Sequence, residues 1–377
     1  MKLRVYPTHL AGAVTVPPSK SLLHRHLICQ MLAGEFPEIT PPCDDVECTM
    51  QAVRALQRGD EVINCGMSGS TLRFLLPLAM ALGQTGVTFT GDARLLQRPI
   101  PADLPMERTD RGLRVTGSLV GGEYRLAADQ TSQIISGLMM ALPLMDKPSR
   151  IILTTDAVSK PYLEMTAAVM KRYGVTVEQQ ANGWKIPGKQ NYKKAPISLE
   201  GDWSAAAWYL AVNALQGAED VTVTNCITPS LQGDSRITEE IRRRPEQWEI
   251  SQMPDLMPVL ALLAALQKGQ VTHFTGGSFL RGKESDRLHA AAMNLNALGA
   301  QVTEQPDGLT VSGVECLQGG VEVDSFRDHR IVLLTAFAAL RCQAPVVISG
   351  AEYVEKSYRT FWEDYRRLGG KTEVVEP

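Results

Sequence analysis

The sequence predicts an α/β protein of two similar domains, each assembled from a repeated unit of helix, strand, hairpin and strand. Three observations carry this reading: landmarks recur at identical offsets, an apolar helical stripe precedes each occurrence, and copies fall in both halves of the chain. One copy reads Gly174-Val175-Thr176-Val177, then Asn182-Gly183, then Trp184-Lys185-Ile186-Pro187-Gly188. The other reads Gly299-Ala300-Gln301-Val302, then Asp307-Gly308, then Leu309-Thr310-Val311-Ser312-Gly313. In each, a glycine ends a helix and an Asn-Gly or Asp-Gly pair makes a tight turn between two strands.

The elements follow in order. Tyr162, Met165, Val169 and Tyr173 line one face of the helix before the first copy, and Leu288, Ala292, Leu295 and Leu298 do so before the second. Gly112-Leu113-Arg114-Val115-Thr116-Gly117 repeats the turn and returning strand. Upstream of it, residues 98–111 hold Pro99, Pro101 and Pro105 and no apolar stripe, so the helix and first strand of that unit are expected to be missing. Residues 236–252 are a second shortened place, because Arg242-Arg243-Arg244-Pro245 stands where a unit's return is due. Leu368-Gly369-Gly370 begins a further copy that stops at the chain end.

A chain of 377 residues is long for one core, which agrees with two domains. With 38 basic and 41 acidic residues, the formal charge of −3 does not attract nucleic acid or a membrane surface, and neither is expected as a partner. No stretch reaches the roughly 18 apolar residues of a membrane span, and MKLRVYPTHL lacks a leader's apolar core. Seven scattered cysteines, none in C-x-x-C spacing, read as reduced thiols of a cytoplasmic protein. His24 and His26 are too close in sequence to share a helix face, so no metal site is expected there. Neither G-x-S-x-G nor a phosphate-binding P-loop occurs.

Polar residues gather where helices are expected to start. The clusters are Ser19-Lys20-Ser21, Ser68-Gly69-Ser70-Thr71, Thr131-Ser132-Gln133, Ser159-Lys160-Pro161-Tyr162, Gly201-Asp202-Trp203-Ser204, Pro254-Asp255, Lys283-Glu284-Ser285-Asp286-Arg287, Asp328-His329-Arg330 and Lys356-Ser357. Ser, Thr and Asp there are also ordinary caps. Capping needs no cation, however, and the helix dipole opposes one in the first turn by about a few tenths of a kcal/mol. Lys20, Lys283, Arg287, Arg330 and Lys356 are therefore expected to bind anions beside free N–H groups, making a positive cleft on a nearly neutral protein. Asp255 and Glu284 sit among these bases. Each reads either as a structural partner or as a carboxyl group that moves a proton.

At these residues the sequence resembles the 5-enolpyruvylshikimate-3-phosphate synthase family. PPSKSLLHR, CGMSGSTLR, RPI, TSQ, SKPYLEMT, GDWSAAAWYL, PDLMPVLAL, KESDRL, DHR and EKSYRTF occur in the family's order, and the match runs from Lys20 to Lys356. The resemblance implies an inside-out α/β barrel architecture of the enolpyruvyl-transferase type, with βαβαββ units, two of them shortened here. It implies domains of residues 1–19 plus 202–377 and of residues 20–201, with the active site in the cleft between them and closure around substrate. The implied reaction moves the enolpyruvyl group of phosphoenolpyruvate to the 5-hydroxyl of shikimate 3-phosphate and releases phosphate, on the route to chorismate and the aromatic amino acids. A monomer without metal or other cofactor is implied.

Carried over by position, Lys20, Ser21, Arg25, Thr131, Ser132, Gln133, Ser159, Asp255 and Lys283 match acceptor-binding positions, with Tyr162 beside them. Lys20, Gly69, Arg98, Gln133, Arg287, Arg330 and Lys356 match phosphoenolpyruvate positions. Asp255 matches the base on the acceptor hydroxyl and Glu284 the acid that protonates the methylene carbon, with Lys20 the third catalytic position. The chain departs from the pattern at Met67, Thr131, Phe279 and Arg359. Phe279 replaces an acceptor-contacting Asn, a loss of about 1–3 kcal/mol of binding if nothing compensates. Two alternatives accompany this reading. A UDP-N-acetylglucosamine enolpyruvyl transferase is expected to carry a reactive Cys in its mobile loop, and residues 98–111 have none. A degenerate paralogue would bind an anionic metabolite without turnover.

Overall fold

The computed structural model describes residues 1–36, 39–101 and 103–376. Strands β1 (Lys2–Tyr6) and β2 (Gly12–Val14) open the chain. Two compact units follow from the contacts: Ser19–Leu199, and Met1–Pro18 together with the chain from Glu200 onward.

The Ser19–Leu199 unit begins with α1 (Lys20–Leu32) and α2 (Asp44–Arg58). It continues through β3 (Val62–Asn64), α3 (Gly69–Ala81), β4 (Thr88–Thr90), α4 (Ala93–Gln97), β5 (Met106–Thr109) and β6 (Gly112–Val115). It closes with β7 (Glu123–Leu126), α5 (Gln133–Ala141), β8 (Ser149–Leu153), α6 (Lys160–Arg172), β9 (Glu178–Gln180) and β10 (Gly183–Ile186). The strands form two sheets of one topology, β3-β4-β6-β5 and β7-β8-β10-β9. In each, a parallel pair is joined through a helix, and an antiparallel hairpin is added at one side. Helices α3 and α5 are apolar on nearly all faces and form the core, with Leu72, Leu75, Leu138 and Met139 fully buried. They cross closely at Gly137, where a Cβ would strike the Arg73 carbonyl.

The second unit continues with α7 (Trp203–Gln216), β11 (Val221–Val223), α8 (Ile237–Arg243), β12 (Gln247–Glu249), α9 (Met257–Ala265) and β13 (Val271–Thr275). Then come α10 (Arg287–Ala297), β14 (Gln301–Gln305), β15 (Gly308–Ser312), β16 (Glu322–Asp324), α11 (His329–Ala339), β17 (Val346–Ser349), α12 (Phe361–Arg367) and β18 (Lys371–Glu376). Sheet β12-β13-β15-β14 repeats the topology of the first unit, and so does β16-β17-β1-β18. The copy that stops at the chain end is thus completed by the chain's beginning. β18 supplies its first hairpin strand, and β1 lies between β17 and β18 as the returning one. Every residue of α9 and α11 is buried, so these two helices form the inner layer of the unit. The fold is mixed α/β with small separate sheets, and among the described residues none closes on itself as a barrel.

The two shortened places differ from each other. In residues 98–111 the expected loss of both helix and strand is half corrected. Strand β5 is present and pairs with β6 from Met106↔Val115 to Thr109↔Gly112. Only the helix is reduced, to the five residues of α4, against thirteen in α6. The strand gave no signal because Glu107, Arg108 and Thr109 are exposed and no apolar alternation results. In residues 236–252 the hairpin is absent as expected. There β11 pairs only with β2 among the described residues, and β12 already belongs to the next sheet.

The hairpin glycines are fixed by close approach. A Cβ on Gly112, Gly183 or Gly308 would strike the carbonyl oxygen of Phe89, Ile151 or Phe274 respectively, and Gly183 also has φ +148. Gly183→Ala is expected to destabilise its unit by about 2–3 kcal/mol. Gly59→Ala, at φ +74 but facing open space, costs about 1–2 kcal/mol from the backbone alone. Denaturant midpoints of the two variants check the order.

Candidate active-site clusters

In the Ser19–Leu199 unit the helix starts are tied together by hydroxyl groups. His24 Nδ1 lies 2.7 Å from Thr49 Oγ1, Thr49 Oγ1 lies 2.6 Å from Thr71 Oγ1, and Thr71 Oγ1 donates to Ser68 Oγ at 2.8 Å. Ser68 also caps α3, accepting from the Thr71 N–H. His26, the other half of the early histidine pair, meets the Tyr173 hydroxyl at 2.9 Å. Burial, helped by Arg172, lowers the His26 pKa to about 4, so it is neutral at pH 7.

Several expected anion-binding residues come together here. Lys20 Nζ is 2.9 Å from Asp45 Oδ2 in the first turn of α2. Gly69 opens α3, where a Cβ would sit 3.0 Å from Arg98 Nη1, 3.1 Å from Gln133 Oε1 and 3.2 Å from Arg73 Nη1. Gln133 Oε1 accepts from Arg73 at 3.4 Å, and its Nε2 donates to Ser70 Oγ at 3.1 Å. Gly69, Arg98 and Gln133 thus form one group with Ser70, which the sequence placed in a helix-start cluster without a role in the site, and with Arg73, which sequence reasoning missed. Thr131 Oγ1 accepts from the Gln133 N–H at 3.1 Å, and Ser132 is buried at the start of α5 without making a capping bond. Ser159 precedes α6 with φ 56, again without a capping bond, and its carbonyl accepts from the Tyr162 N–H. For Ser132 and Ser159 the capping explanation therefore fails.

Arg25 is buried among four hydrogen bonds: to Thr166 Oγ1 at 2.7 Å, the Ser21 carbonyl at 2.7 Å, the Tyr162 carbonyl at 2.9 Å and Ser136 Oγ at 3.4 Å. Its guanidinium also stands 5.0 Å over the Phe74 ring. Burial lowers its pKa to about 10, which leaves it charged. Helices α1, α5 and α6 are braced by this one side chain.

The second unit holds the proposed acid and base. Arg287, the first residue of α10, is 1% exposed and meets three carboxylates. Its Nη1 is 2.8 Å from Asp255 Oδ1, its Nη2 2.9 Å from Glu284 Oε2, and its Nε 3.0 Å from Asp328 Oδ2. Burial alone would lower the Arg287 pKa, but Asp328, Glu284 and Asp255 outweigh it and raise it. Arg330 Nη2 takes the other oxygen of Asp255 at 3.2 Å, and Lys356 Nζ approaches Glu284 Oε1 at 3.5 Å. Asp328 also caps α11 by accepting from the Arg330 N–H and accepts from Ser285 Oγ. Asp255 is not the cap of its helix, because Leu256 occupies that position. Sequence reasoning placed Asp328 in a cluster but gave it no role in the site. Its signal was the Asp-His-Arg run itself.

Lys283 Nζ stands 5.2 Å over the ring of Phe279, which is 3% exposed. The phenylalanine at the departure from the family pattern therefore holds a lysine expected at the acceptor, by about 0.5–1 kcal/mol.

This fold is that of the enolpyruvyl transferases. The solved EPSP synthase of Acinetobacter baumannii superposes with a TM-score of 0.76 at 24% identity, covering 100% of both chains. The enolpyruvyl transferase NikO of Streptomyces tendae does so with 0.72 at 15% identity, over 100% of this chain and 99% of its own. A family model described as EPSP synthase (3-phosphoshikimate 1-carboxyvinyltransferase) matches residues 6–365. The 3-phosphoshikimate 1-carboxyvinyltransferase of Clostridium kluyveri is 38% identical over 98% of this chain and 97% of its own length. That of Clostridioides difficile is 35% identical over 98% of each. The chain belongs to the EPSP synthase family. The C. kluyveri alignment extends over 420 positions against 377 residues here, so at least 43 positions have no counterpart in this chain. That agrees with a reduced helix and an absent hairpin.

Arg287→Met would leave the buried carboxylate of Asp328, and the partly buried ones of Glu284 and Asp255, without their shared cation, and is expected to cost about 3–5 kcal/mol. Arg281→Met, which breaks the more exposed pairs with Asp286 and Glu304, is expected to cost about 1 kcal/mol or less. Equilibrium unfolding of both variants gives the comparison.

Proposed function

We propose that this chain transfers the enolpyruvyl group of phosphoenolpyruvate to the 5-hydroxyl of shikimate 3-phosphate, releasing phosphate. The observation that carries the reading is the Arg287 guanidinium, which holds Asp255 and Glu284 on two different nitrogens, with Arg330 and Lys356 on their outer oxygens. A base and an acid are needed in this reaction, and anions must bind beside them. Membership of the family supplies the substrates.

The proposed chemistry is addition followed by elimination. Glu284 gives a proton to the methylene carbon of phosphoenolpyruvate, which leaves C2 electrophilic. Asp255 accepts the proton of the acceptor 5-hydroxyl as its oxygen bonds to C2. The tetrahedral adduct then loses phosphate from C2 while the Glu284 carboxylate takes back a proton from the new methyl group, which restores the carbon–carbon double bond and leaves an enol ether on the acceptor. Lys20, Gly69, Arg98, Gln133, Arg287, Arg330 and Lys356 bind the donor in this reading, and fixed cations stabilise the charge that builds on its phosphate. Lys20, Ser21, Arg25, Thr131, Ser132, Gln133, Ser159, Asp255 and Lys283 bind the acceptor, with Arg25 acting chiefly by holding α1 against α5 and α6. Each compact unit is one domain in this reading. The proposal takes the chain as a cytoplasmic monomer. No helix among the described residues is long and apolar enough to cross a membrane.

The clostridial relatives, both 3-phosphoshikimate 1-carboxyvinyltransferases, favour neither a UDP-sugar transferase nor a binding protein without turnover. Phosphate release from phosphoenolpyruvate and shikimate 3-phosphate tests the proposal, and its absence from folded protein at millimolar substrate would sink it. Glu284→Gln is expected to lower kcat by about 10²–10⁴ while donor affinity stays within a few-fold. A variant that keeps full turnover would remove Glu284 from the acid role.

A further inference from the structure

Behind the Arg287 cluster, in the same unit, lies a carboxyl group that no step above uses. Asp234 sits in the 3-10 turn Gly233–Arg236 and is 2% exposed. Its Oδ2 accepts a hydrogen bond from Ser204 Oγ, and its Oδ1 has no hydrogen-bond partner among the described residues. The backbone carbonyl of the same Ser204 accepts from Arg330 Nη1 at 3.3 Å, and Arg330 Nη2 in turn meets Asp255 at 3.2 Å. Ser204 thus joins Asp234 through its side chain and Arg330 through its main chain.

The charged groups facing Asp234 come from three elements: Asp202 at the cap of α7, Asp255 ahead of α9, and Arg330 on α11. Burial first, and then the charge of Asp255, push the Asp234 carboxyl up to about 7, against the pull of Arg330 and the Ser204 hydrogen bond. An ionised carboxylate with a bare buried oxygen is costly, and a neutral acid much less so. Charge balance points the same way. Arg287, Arg330 and Lys356 already meet Asp255, Glu284 and Asp328. A further negative charge would make the cluster repel an anion.

We propose that Asp234 is a positioning residue for the anionic donor: as a neutral acid it braces Arg330 through Ser204, and its ionisation weakens donor binding. The inference rests on the reading of the site given above and deepens it. Asp234 does not touch substrate and transfers no proton in the reaction.

The test compares KM for phosphoenolpyruvate in the parent and in Asp234→Asn from about pH 6 to about pH 8.5. The donor's own ionisation cancels in the ratio of the two. The parent-to-variant KM ratio is expected to be near one at the acid end and to climb roughly five- to tenfold at the alkaline end, while the ratio of kcat stays flat. A KM ratio that does not change with pH overturns the inference, and so does a loss confined to kcat. Ser204→Ala provides a second reading should the Asn variant not fold. Removing the donor that favours the ionised carboxyl should move the midpoint of the KM rise to higher pH, and an unmoved midpoint overturns the inference. Failure here is separable from failure of the functional reading. A parent that turns over with a flat KM ratio discards only Asp234, whereas a parent that releases no phosphate discards the reaction itself.

Discussion

A single buried guanidinium sets the geometry of the second unit. Arg287 begins α10, Asp255 lies just ahead of α9, and Asp328 caps α11, so three helix starts are held in register by one planar group. Helix ends carry unsatisfied N–H groups and a partial positive charge, and a cation among them is unfavourable unless carboxylates accompany it. Three do. Desolvating such a set costs several kcal/mol per ion, and the Coulombic return comes close to cancelling it rather than adding stability. The return is positional: the fork of Arg287 allows each carboxylate one direction, and two of the three point their second oxygen at Arg330 or Lys356.

The Ser19–Leu199 unit solves the same problem with neutral groups. There the chain of His24, Thr49, Thr71 and Ser68 links the N-terminal parts of α1, α2 and α3, and a hydroxyl can both give and accept within it. Neutral links are cheaper to bury than ions and hold the spacing equally well. Positive charge is supplied by Lys20 at the start of α1, which meets Asp45, and by Arg73 and Arg98, which lie beside Gly69 at the start of α3. Arg25 adds a deeply buried cation, and it serves as a tie between helices.

What could be read from the sequence follows from how local each constraint is. The hairpins at Asn182-Gly183 and Asp307-Gly308 were legible because a backbone collision fixes glycine at one position of a short motif. The clustering of Gly69, Arg98 and Gln133 was legible only through family resemblance, since three separate segments supply it. Arg73 was not legible at all: inside an otherwise apolar helix it looks like a tolerated polar residue, and Ser70 showed only as a member of a helix-start cluster. The closure of the last repeat by β1 was hidden for a different reason. Leu3 pairs with Val374 across almost the entire chain, and no local pattern encodes such a partner. Asp234 was hidden because its meaning lies in what surrounds it after folding, two other carboxylates and a buried arginine.

The helix before Arg98 is reduced, and the structure supplies a separate restraint on the segment that follows it. Arg98 follows directly on α4, whose cap Asp92 accepts from the Arg94 N–H, so the short helix still has a defined start. Strand β5 then returns alongside, and from it Arg108 donates to the carbonyls of both Leu96 and Arg98. One guanidinium thus satisfies main-chain acceptors that a longer helix would have satisfied internally. Arg108 can do this because β5 is paired in register with β6, whose turn glycine Gly112 admits the close approach to Phe89. The strand with no apolar signal in the sequence is therefore what holds Arg98 in place behind its shortened helix. A repeat can shorten a helix and still fix the segment that follows it when the remaining hairpin reaches back to that segment's carbonyls.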